Sequence, residues 1–175
     1  LLSVAINKYV YVIVNKNFDK SIKASYRKIE VVNKLDDIEH PLVRECLRLI
    51  GIHEGVEIFS MADAPANTGL GSSSAYCVGL LNALYAYKRR HASPQVLAEE
   101  ACRIEIDILK EPIGKQDQYL AAFGGLTKLD IEKDGKVTVT SPILSQDSFE
   151  ALESNLLMFY TGFQRSASEV LQDQN

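Results

Sequence analysis

The chain has 175 residues, of which 46% are hydrophobic and 24% charged, a balance that excludes a disordered chain and a membrane-spanning one. A formal net charge of −4 supplies no basic face for nucleic-acid phosphates or anionic lipid, so we expect no nucleic acid and no membrane among its partners. Small-molecule partners are expected, and a homodimer is left open. Because the sequence contains no secretory-signal pattern, cytoplasmic localisation is expected.

The spacing of cysteines and histidines indicates neither a disulfide framework nor a metal site built from these residues. The three cysteines are far apart, odd in number and without a CxxC pair, so we expect reduced thiols in the core: Cys46, Cys77 and Cys102. The three histidines fall in no ligand spacing, so any metal should be held by oxygen ligands.

The first half of the chain predicts two strands, a helix and a further strand. Residues 2–15 alternate in polarity and are rich in β-branched side chains, which predicts one strand and leaves open a bulge near Asn7. A second strand over 22–33 is expected to form an antiparallel pair with it. Pro41 in a first-turn position and Gly51 as a stop predict a helix over 41–50. A short strand is predicted over 56–59.

The second half predicts helices first and then a hairpin. Residues 62–72 form a loop that leads into a helix over 73–90, and a second helix starts after the Ser93 cap and continues to about residue 109. Residues 112–125 predict a turn, a short helix and a Gly-Gly stop.

A hairpin with strands near 126–132 and 136–143 follows, because Asp134-Gly135 is a strong tight-turn signal. Another strand is predicted over 154–160, and a helix from Ser166 onward. Helices and strands mix in one continuous stretch, so we expect an α+β fold.

The segment PANTGLGSSSA, Pro65 to Ala75, is the sharpest chemical feature. Its glycines allow the backbone to approach an anion, and the following helix start offers unpaired N–H groups and a partial positive charge. The pattern therefore predicts a phosphate-binding loop whose serine hydroxyls contact phosphate or Mg²⁺. A simple Gly/Ser turn with an ordinary helix cap is the alternative.

Two acids follow the loop in the sequence and are candidates for a role in phosphoryl transfer. Glu105 and Asp117 come from two short segments, and such a reaction needs positioned magnesium and often a carboxylate near the nucleophile. Lys115, beside Asp117, is a candidate to pair with it or to contact a substrate anion. The alternative is that these are solvated surface charges.

Arg165, in TGFQRSAS, precedes the predicted helix start, where a guanidinium suits recognition of a phosphate or carboxylate. A surface arginine beside the capping Ser166 is the alternative.

These three stretches, taken together, resemble the GHMP kinase superfamily, which includes galactokinase, homoserine kinase and mevalonate kinase. PANTGLGSSSA looks like its glycine- and serine-rich second motif, and the order of Glu105, Asp117 and Gly124-Gly125 is similar to that in galactokinase and mevalonate kinase. Within the superfamily, RIEIDILKEPIGKQDQYLAAFGGL and FYTGFQRSASEVL most resemble the D-glycero-D-manno-heptose 7-phosphate kinases.

The resemblance implies ATP and Mg²⁺ as cofactors, and transfer of the γ-phosphoryl group to the anomeric hydroxyl of a heptose 7-phosphate. It implies Asp117 as catalytic base with Lys115 as a second catalytic residue, Glu105 and Ser73 as magnesium ligands, and Lys115 and Arg165, with Asp117, as substrate contacts. The implied nucleotide-binding residues are Pro65, Asn67, Gly69, Leu70, Gly71, Ser72, Ser73, Ser74 and Ala75.

The family fold implied is a ribosomal-protein-S5-like N-terminal domain, here residues 1–150, followed by the start of a ferredoxin-like C-terminal domain at 151–175. The family's first motif would precede Leu1 and its third would follow Asn175, so a fragment is expected. Another sugar acceptor, such as fucose or galactose, a non-catalytic nucleotide-binding regulator, and a structural module that binds nothing remain the alternatives.

Overall fold

The computed structural model describes residues 1–65, 68–159 and 162. Helices and strands are mixed along the chain, so the expected α+β class is confirmed. The strands are β1 Leu2–Val4, β2 Val10–Lys16, β3 Ile22–Ser25, β4 Ile29–Val32, β5 Val56–Ala62, β6 Leu126–Ile131 and β7 Val137–Thr140. The α-helices are α1 Pro41–Ile50, α2 Ser72–Tyr87, α3 Pro94–Cys102, α4 Gln116–Phe123 and α5 Gln146–Ser154.

The strands form two sheets. One has the order β2-β5-β3-β4, in which β3 and β5 are parallel and the other neighbours antiparallel. The other has the order β1-β6-β7 and is antiparallel throughout. Consecutive strands of the first sheet are therefore not always neighbours, because β5 is inserted between β2 and β3.

The prediction of one strand over residues 2–15 is wrong. The run is divided into β1 and β2, which belong to different sheets, and the break is held by the Ala5 N–H donating to Gly125 O at 2.9 Å and the Tyr9 N–H donating to Asp63 Oδ2 at 2.9 Å. Alternating polarity indicates only that each of the two strands has one buried face. The alternation continues across the break between β1 and β2, so it does not reveal that they belong to different sheets.

The predicted second strand is also two strands. Residues 22–33 contain β3 and β4, which pair with each other around a turn that is closed by the Tyr26 N–H donating to Lys28 O at 2.9 Å. The expected antiparallel pairing with the first strand is not formed, because β2 pairs with β5 along its whole length.

The helix predictions agree closely with the structure where local capping signals are strong. Helix α1 begins at Pro41 and ends at Ile50, and it is capped by Gly51, which adopts the left-handed conformation with φ 73°. Ser93 caps α3 by accepting a hydrogen bond from the Val96 N–H at 3.3 Å. After Cys102 the chain continues as a π-helix, Arg103–Ile108, which the sequence did not predict, and a short 3₁₀ helix, Leu35–Asp37, was also missed.

The main core lies between the four-stranded sheet and helices α1 and α2. Its fully buried side chains include Ile22, Val43, Ile58 and Leu81, and Ile104 extends it into the π-helix. A smaller cluster containing Tyr119 and Leu129 joins α3 and α4 to the β6–β7 hairpin. The three cysteines lie in these cores as expected, all buried and all free thiols.

The strand predicted over 154–160 is wrong where the structure describes it. Ser154 ends α5, and residues 155–159 form neither helix nor strand. The helix predicted from Ser166 lies outside the described residues, and the division at residue 150 stays a prediction. No helix in the described ranges has the length and apolarity required to cross a bilayer.

Candidate active site

The glycine- and serine-rich loop ends where helix α2 begins. Gly71 occupies the position before the helix with φ 66°, and its carbonyl accepts the first helical hydrogen bond, from the Ala75 N–H at 2.9 Å. The N–H groups of Ser72, Ser73 and Ser74 donate to none of the described residues. Free N–H groups at the positive end of a 16-residue helix form a favourable environment for an anion.

Glu105 lies beneath this helix start and joins three parts of the chain. Its side chain is 1% exposed, and its carboxylate accepts hydrogen bonds from Ser73 Oγ at 2.8 Å, Ser74 Oγ at 2.8 Å and Gln118 Nε2 at 2.7 Å. A buried carboxylate is tolerated only when such partners replace its hydration. The π-helix therefore fixes the first turn of α2 against α4 through one acidic group.

The residues at this position fit a magnesium ion in their chemistry. Ser73 Oγ and Glu105 Oε1 are 2.8 Å apart, close to the separation of about 2.9 Å between adjacent oxygens in an octahedral site with 2.0–2.1 Å bonds. The described residues contain no group of three or more His, Cys, Asp or Glu side chains able to form a complete cage. Any magnesium held here would take its remaining ligands from phosphate oxygens and water, as is usual for this ion.

Asp117 lies directly beside Gly71. A Cβ atom placed on Gly71 would be 3.0 Å from Asp117 Cγ and 3.1 Å from Oδ2, so only glycine admits this approach. The carboxyl retains access to solvent and accepts no hydrogen bond from the described residues. Desolvation by the surrounding protein atoms raises the pKa of Asp117 above its usual range. The Asp117 carboxyl therefore lies beside the loop and forms no hydrogen bond with the described residues.

The expected pairing of Lys115 with Asp117 is not formed. The Lys115 ammonium donates to the carbonyl of Gly135, in the turn of the β6–β7 hairpin, at 2.6 Å. It lines a second cavity of about 380 Å³ that Asp117 does not line. Lys115 and Asp117 are near neighbours in sequence, but Lys115 precedes the first residue of α4. Its side chain contacts the β6–β7 hairpin, whereas Asp117 contacts the loop.

A cleft of about 640 Å³ begins at the loop and crosses the end of the four-stranded sheet, from the start of β2 and the end of β5 to the turn between β3 and β4. Pro65, Ser72 and Ser73 line it at the end formed by the loop and the start of α2. Three aromatic side chains also line it, and we term Tyr26, His40 and Tyr76 the aromatic wall. The cleft therefore combines a potential anion site with a wall able to hold a flat ring.

The remaining predicted site residues are divided between this region and the undescribed part of the chain. Gly69 has φ 75°, Leu70 is 43% exposed, and Leu70 and Ala75 line a small cavity of about 40 Å³ beside the loop. Asn67 and Arg165 lie outside the described residues.

Sequence reasoning missed Gln118 and the aromatic wall. Gln118 is completely buried and holds Glu105, and its position directly after Asp117 in KQDQ was the only available signal. Tyr26, His40 and Tyr76 come from three distant segments, so no local pattern connects them. Their juxtaposition depends on how α1 and α2 pack beside the turn between β3 and β4.

Comparisons with known proteins bear directly on this arrangement. Residues 39–125, which include the loop, Glu105 and Asp117, match the family model described as the GHMP kinases N terminal domain. A D-glycero-alpha-D-manno-heptose 7-phosphate kinase of Campylobacter jejuni is 27% identical over 113 residues, which cover 65% of this chain and 33% of that protein. A mevalonate kinase of Methanothermobacter thermautotrophicus is 33% identical over 91 residues, covering 52% of this chain and 30% of that protein.

Among solved structures, a D-glycero-D-manno-heptose 1-phosphate kinase from Bacteroides thetaiotaomicron superposes with a TM-score of 0.79 at 25% identity, covering 88% of this chain and 54% of that one. The chain thus spans about a third of the length of the curated relatives it matches and about half of this solved relative.

Proposed function

Because the chain belongs to the GHMP kinase superfamily, we propose that it forms the nucleotide-phosphate site of an ATP-dependent kinase whose acceptor is a heptose phosphate. The observation that carries this proposal is the arrangement around Gly71. A buried carboxylate, Glu105, holds two serines of the loop, while a second carboxylate, Asp117, approaches the same loop closely without a structural partner. One acid of the pair would therefore have a structural or metal-binding role, and the other would be available to react.

The polyphosphate of the nucleotide would lie on the N-terminal turn of α2. The N–H groups of Ser72, Ser73 and Ser74 would donate to its oxygens. Gly69 and Gly71, which both adopt positive φ, present no side chain to this approach. The nucleoside would extend into the cleft, since Ser72 and Ser73 line the cleft as well as the loop.

Magnesium would be held by Ser73 and Glu105 together with phosphate oxygens, and when bound it neutralises charge on the phosphates. Gln118 and Ser74 would keep the Glu105 carboxylate oriented, because they bond its other oxygen, Oε2, at 2.7 and 2.8 Å. The ion is thereby supported by a carboxylate that cannot rotate freely.

Asp117 would accept the proton of the acceptor hydroxyl as that oxygen attacks the terminal phosphorus. The acceptor gains a phosphoryl group, the bond to the leaving ADP breaks, and the proton passes to Asp117 Oδ. A pKa raised by desolvation makes the carboxylate a stronger base than a solvated aspartate, which favours this transfer. Lys115 is left out of the reacting set because its ammonium is engaged by Gly135 O.

A heptose phosphate is proposed as acceptor because two of the relatives described above carry that name, one with the phosphate at position 7 and one at position 1. A mevalonate kinase is also among these relatives, so similarity to the family does not by itself select the acceptor. An assay with several hydroxyl compounds is therefore needed to identify the acceptor.

The test measures ADP release from Mg-ATP with heptose 7-phosphate, heptose 1-phosphate, mannose, fucose, galactose and mevalonate as separate acceptors. We expect turnover with heptose 7-phosphate and its loss in Asp117→Asn. Turnover with a free hexose or mevalonate alone would replace the acceptor while keeping the kinase. Binding of Mg-ATP without turnover on any acceptor would favour a nucleotide-binding regulator, and no binding at all would remove the proposal.

A further inference from the structure

The rings of the aromatic wall are mutually supported. The centroids of the Tyr26 and His40 rings are 4.7 Å apart at an interplanar angle of 90°, and those of His40 and Tyr76 are 5.4 Å apart at 49°. Edge-to-face contacts of this kind stabilise ring orientation beyond simple burial. His40 is therefore held between two tyrosines on the wall of the 640 Å³ cleft.

Glu30 holds the wall from behind without using the imidazole nitrogens. This buried carboxylate accepts hydrogen bonds from the Tyr26 hydroxyl at 2.5 Å, the Glu39 N–H at 2.7 Å and the His40 N–H at 3.2 Å. Desolvation and the bond to Glu30 raise the pKa of Tyr26 to about 12, so its hydroxyl stays a donor. The backbone of His40 and the ring of Tyr26 are thus fixed to one anchor.

The imidazole of His40 is left with unused polar atoms. Its Nδ1 is buried and has no hydrogen-bond partner among the described residues. Desolvation lowers the pKa of His40, and the ring is neutral near pH 7. A neutral imidazole carries one proton, placed on either Nδ1 or Nε2.

The environment favours the proton on Nε2. A buried N–H without an acceptor is rarer and more costly than a buried lone pair without a donor, so the buried Nδ1 is better left unprotonated. Nε2 is then the donor of the ring, and none of the described residues accepts from it. Because the ring forms part of the cleft surface and Nδ1 is its enclosed side, Nε2–H is the group that it offers to a bound molecule.

We infer that His40 is the residue that recognises the nucleobase of the phosphate donor, donating its Nε2–H to an unprotonated ring nitrogen of a purine held against Tyr26 and Tyr76. The inference rests on the proposed function in so far as that places the nucleoside in this cleft. It adds a specific contact, made by a residue outside the phosphate loop and the two acids.

The experiment measures dissociation constants by calorimetry for ATP and for its 1-deaza, 3-deaza and 7-deaza analogues, in which one ring nitrogen is replaced by C–H. For the unmodified chain we expect one analogue to bind roughly tenfold more weakly than ATP, because one hydrogen bond is lost. In His40→Phe, the dissociation constant for ATP should rise by a similar factor. The dissociation constant for that analogue should stay at its value for the unmodified chain. His40→Gln, which retains a side-chain N–H donor, should recover part of the difference.

His53→Phe is the matched control, since His53 is exposed and does not line the cleft. Circular dichroism verifies that each variant is folded, and the Gln variant maintains the test if the Phe variant is not. Equal weakening of every analogue, or an ATP preference unchanged in both His40 variants, would overturn the inference and leave the kinase proposal intact. If the unmodified chain binds neither ATP nor inorganic triphosphate, the proposed function fails and the role of His40 fails with it.

Discussion

Two carboxylates at one loop lie in opposite environments. Glu105 is 1% exposed and accepts three hydrogen bonds, whereas Asp117 retains access to solvent and accepts none from the described residues. Hydrogen bonding favours the charged form of a carboxyl group and desolvation disfavours it. In the function proposed above, these two environments suit two tasks: Glu105 would hold the loop and the cation, and Asp117 would serve as the base.

Substitution of Asp117 by Asn should remove phosphoryl transfer while preserving nucleotide binding. The amide has nearly the same size but cannot accept the proton, so kcat should fall by about 10²–10⁴ and the Kd of Mg-ATP should change less than about threefold. Steady-state kinetics and calorimetry on the same preparation measure both. A retained kcat would assign the base to another group.

The pH profile of the unmodified protein provides an independent measurement on Asp117. Its raised pKa means that the base form is lost, as pH falls, at a higher pH than for a solvated aspartate of pKa 3.8. The acid limb of kcat/KM should accordingly lie above that ordinary value. An acid limb at or below it would contradict the assignment.

Substitution of Glu105 by Ala should destabilise the fold as well as the site. It leaves the Ser74 hydroxyl and the Gln118 amide buried without their acceptor, so the free energy of unfolding should fall by about 2–4 kcal/mol in urea denaturation. Asp107→Ala is the control, because Asp107 is exposed in the same π-helix, and its effect should stay within about 0.5 kcal/mol. Equal effects of the two substitutions would show that the Glu105 bonds contribute little.

At the scale of elements, the junction between the loop and α2 determines the site. Gly69 and Gly71 both have positive φ, but only Gly71 faces another element, since an added Cβ would lie 3.0 Å from Asp117 Cγ, whereas nothing lies within 4 Å of one on Gly69. Substitutions at the two glycines therefore distinguish the effect of backbone strain from the effect of contact with Asp117.

Alanine substitutions at these two glycines should therefore differ. Both should lose about 1 kcal/mol of stability through the left-handed conformation, measured by thermal or urea unfolding. Only Gly71→Ala should additionally lower kcat and alter the pH profile, because it displaces Asp117. Similar kinetic losses in both variants would indicate that the loop backbone, rather than the contact with Asp117, is what matters.

At the scale of the whole molecule, the cysteines report on the integrity of the core. Cys46 and Cys77 are 0% exposed, with their sulfur atoms 3.8 Å apart between α1 and α2, and Cys102 is 6% exposed. The hydrogen bond to Cys46 and desolvation raise the pKa of Cys77, and desolvation raises the pKa of Cys102 to about 12. All three thiols are poor nucleophiles in the folded state.

A thiol reagent should therefore label the native protein very slowly at pH 8 and label all three cysteines after unfolding in urea. The labelling rate should rise with denaturant in parallel with loss of helical circular dichroism. Cys46 and Cys77 become accessible only when α1 and α2 separate, and Cys102 only when the smaller cluster around Tyr119 and Leu129 opens. Free cysteine, without added reductant, is the reference for an accessible thiol. Rapid native labelling of any of the three would show that the core opens locally.

The sequence by itself determined those features whose hydrogen bonds lie within a few residues. The caps of α1 and α3, the turn at Gly135 and the helix start after the loop were all predictable, because each depends on hydrogen bonds between groups three or four positions apart. It also determined the α+β class and the family, through a loop and two acids whose order in the chain is distinctive.

Only the tertiary structure decided which distant segments meet. The division of residues 2–15 between two sheets follows from partners far along the chain, since Leu2 pairs with Lys128 while Val10 pairs with Ala62. The orientation of Lys115 toward Gly135 and the meeting of His40 with two tyrosines have the same origin. Polarity patterns record that a face is buried but not what buries it, so these contacts arise from packing alone.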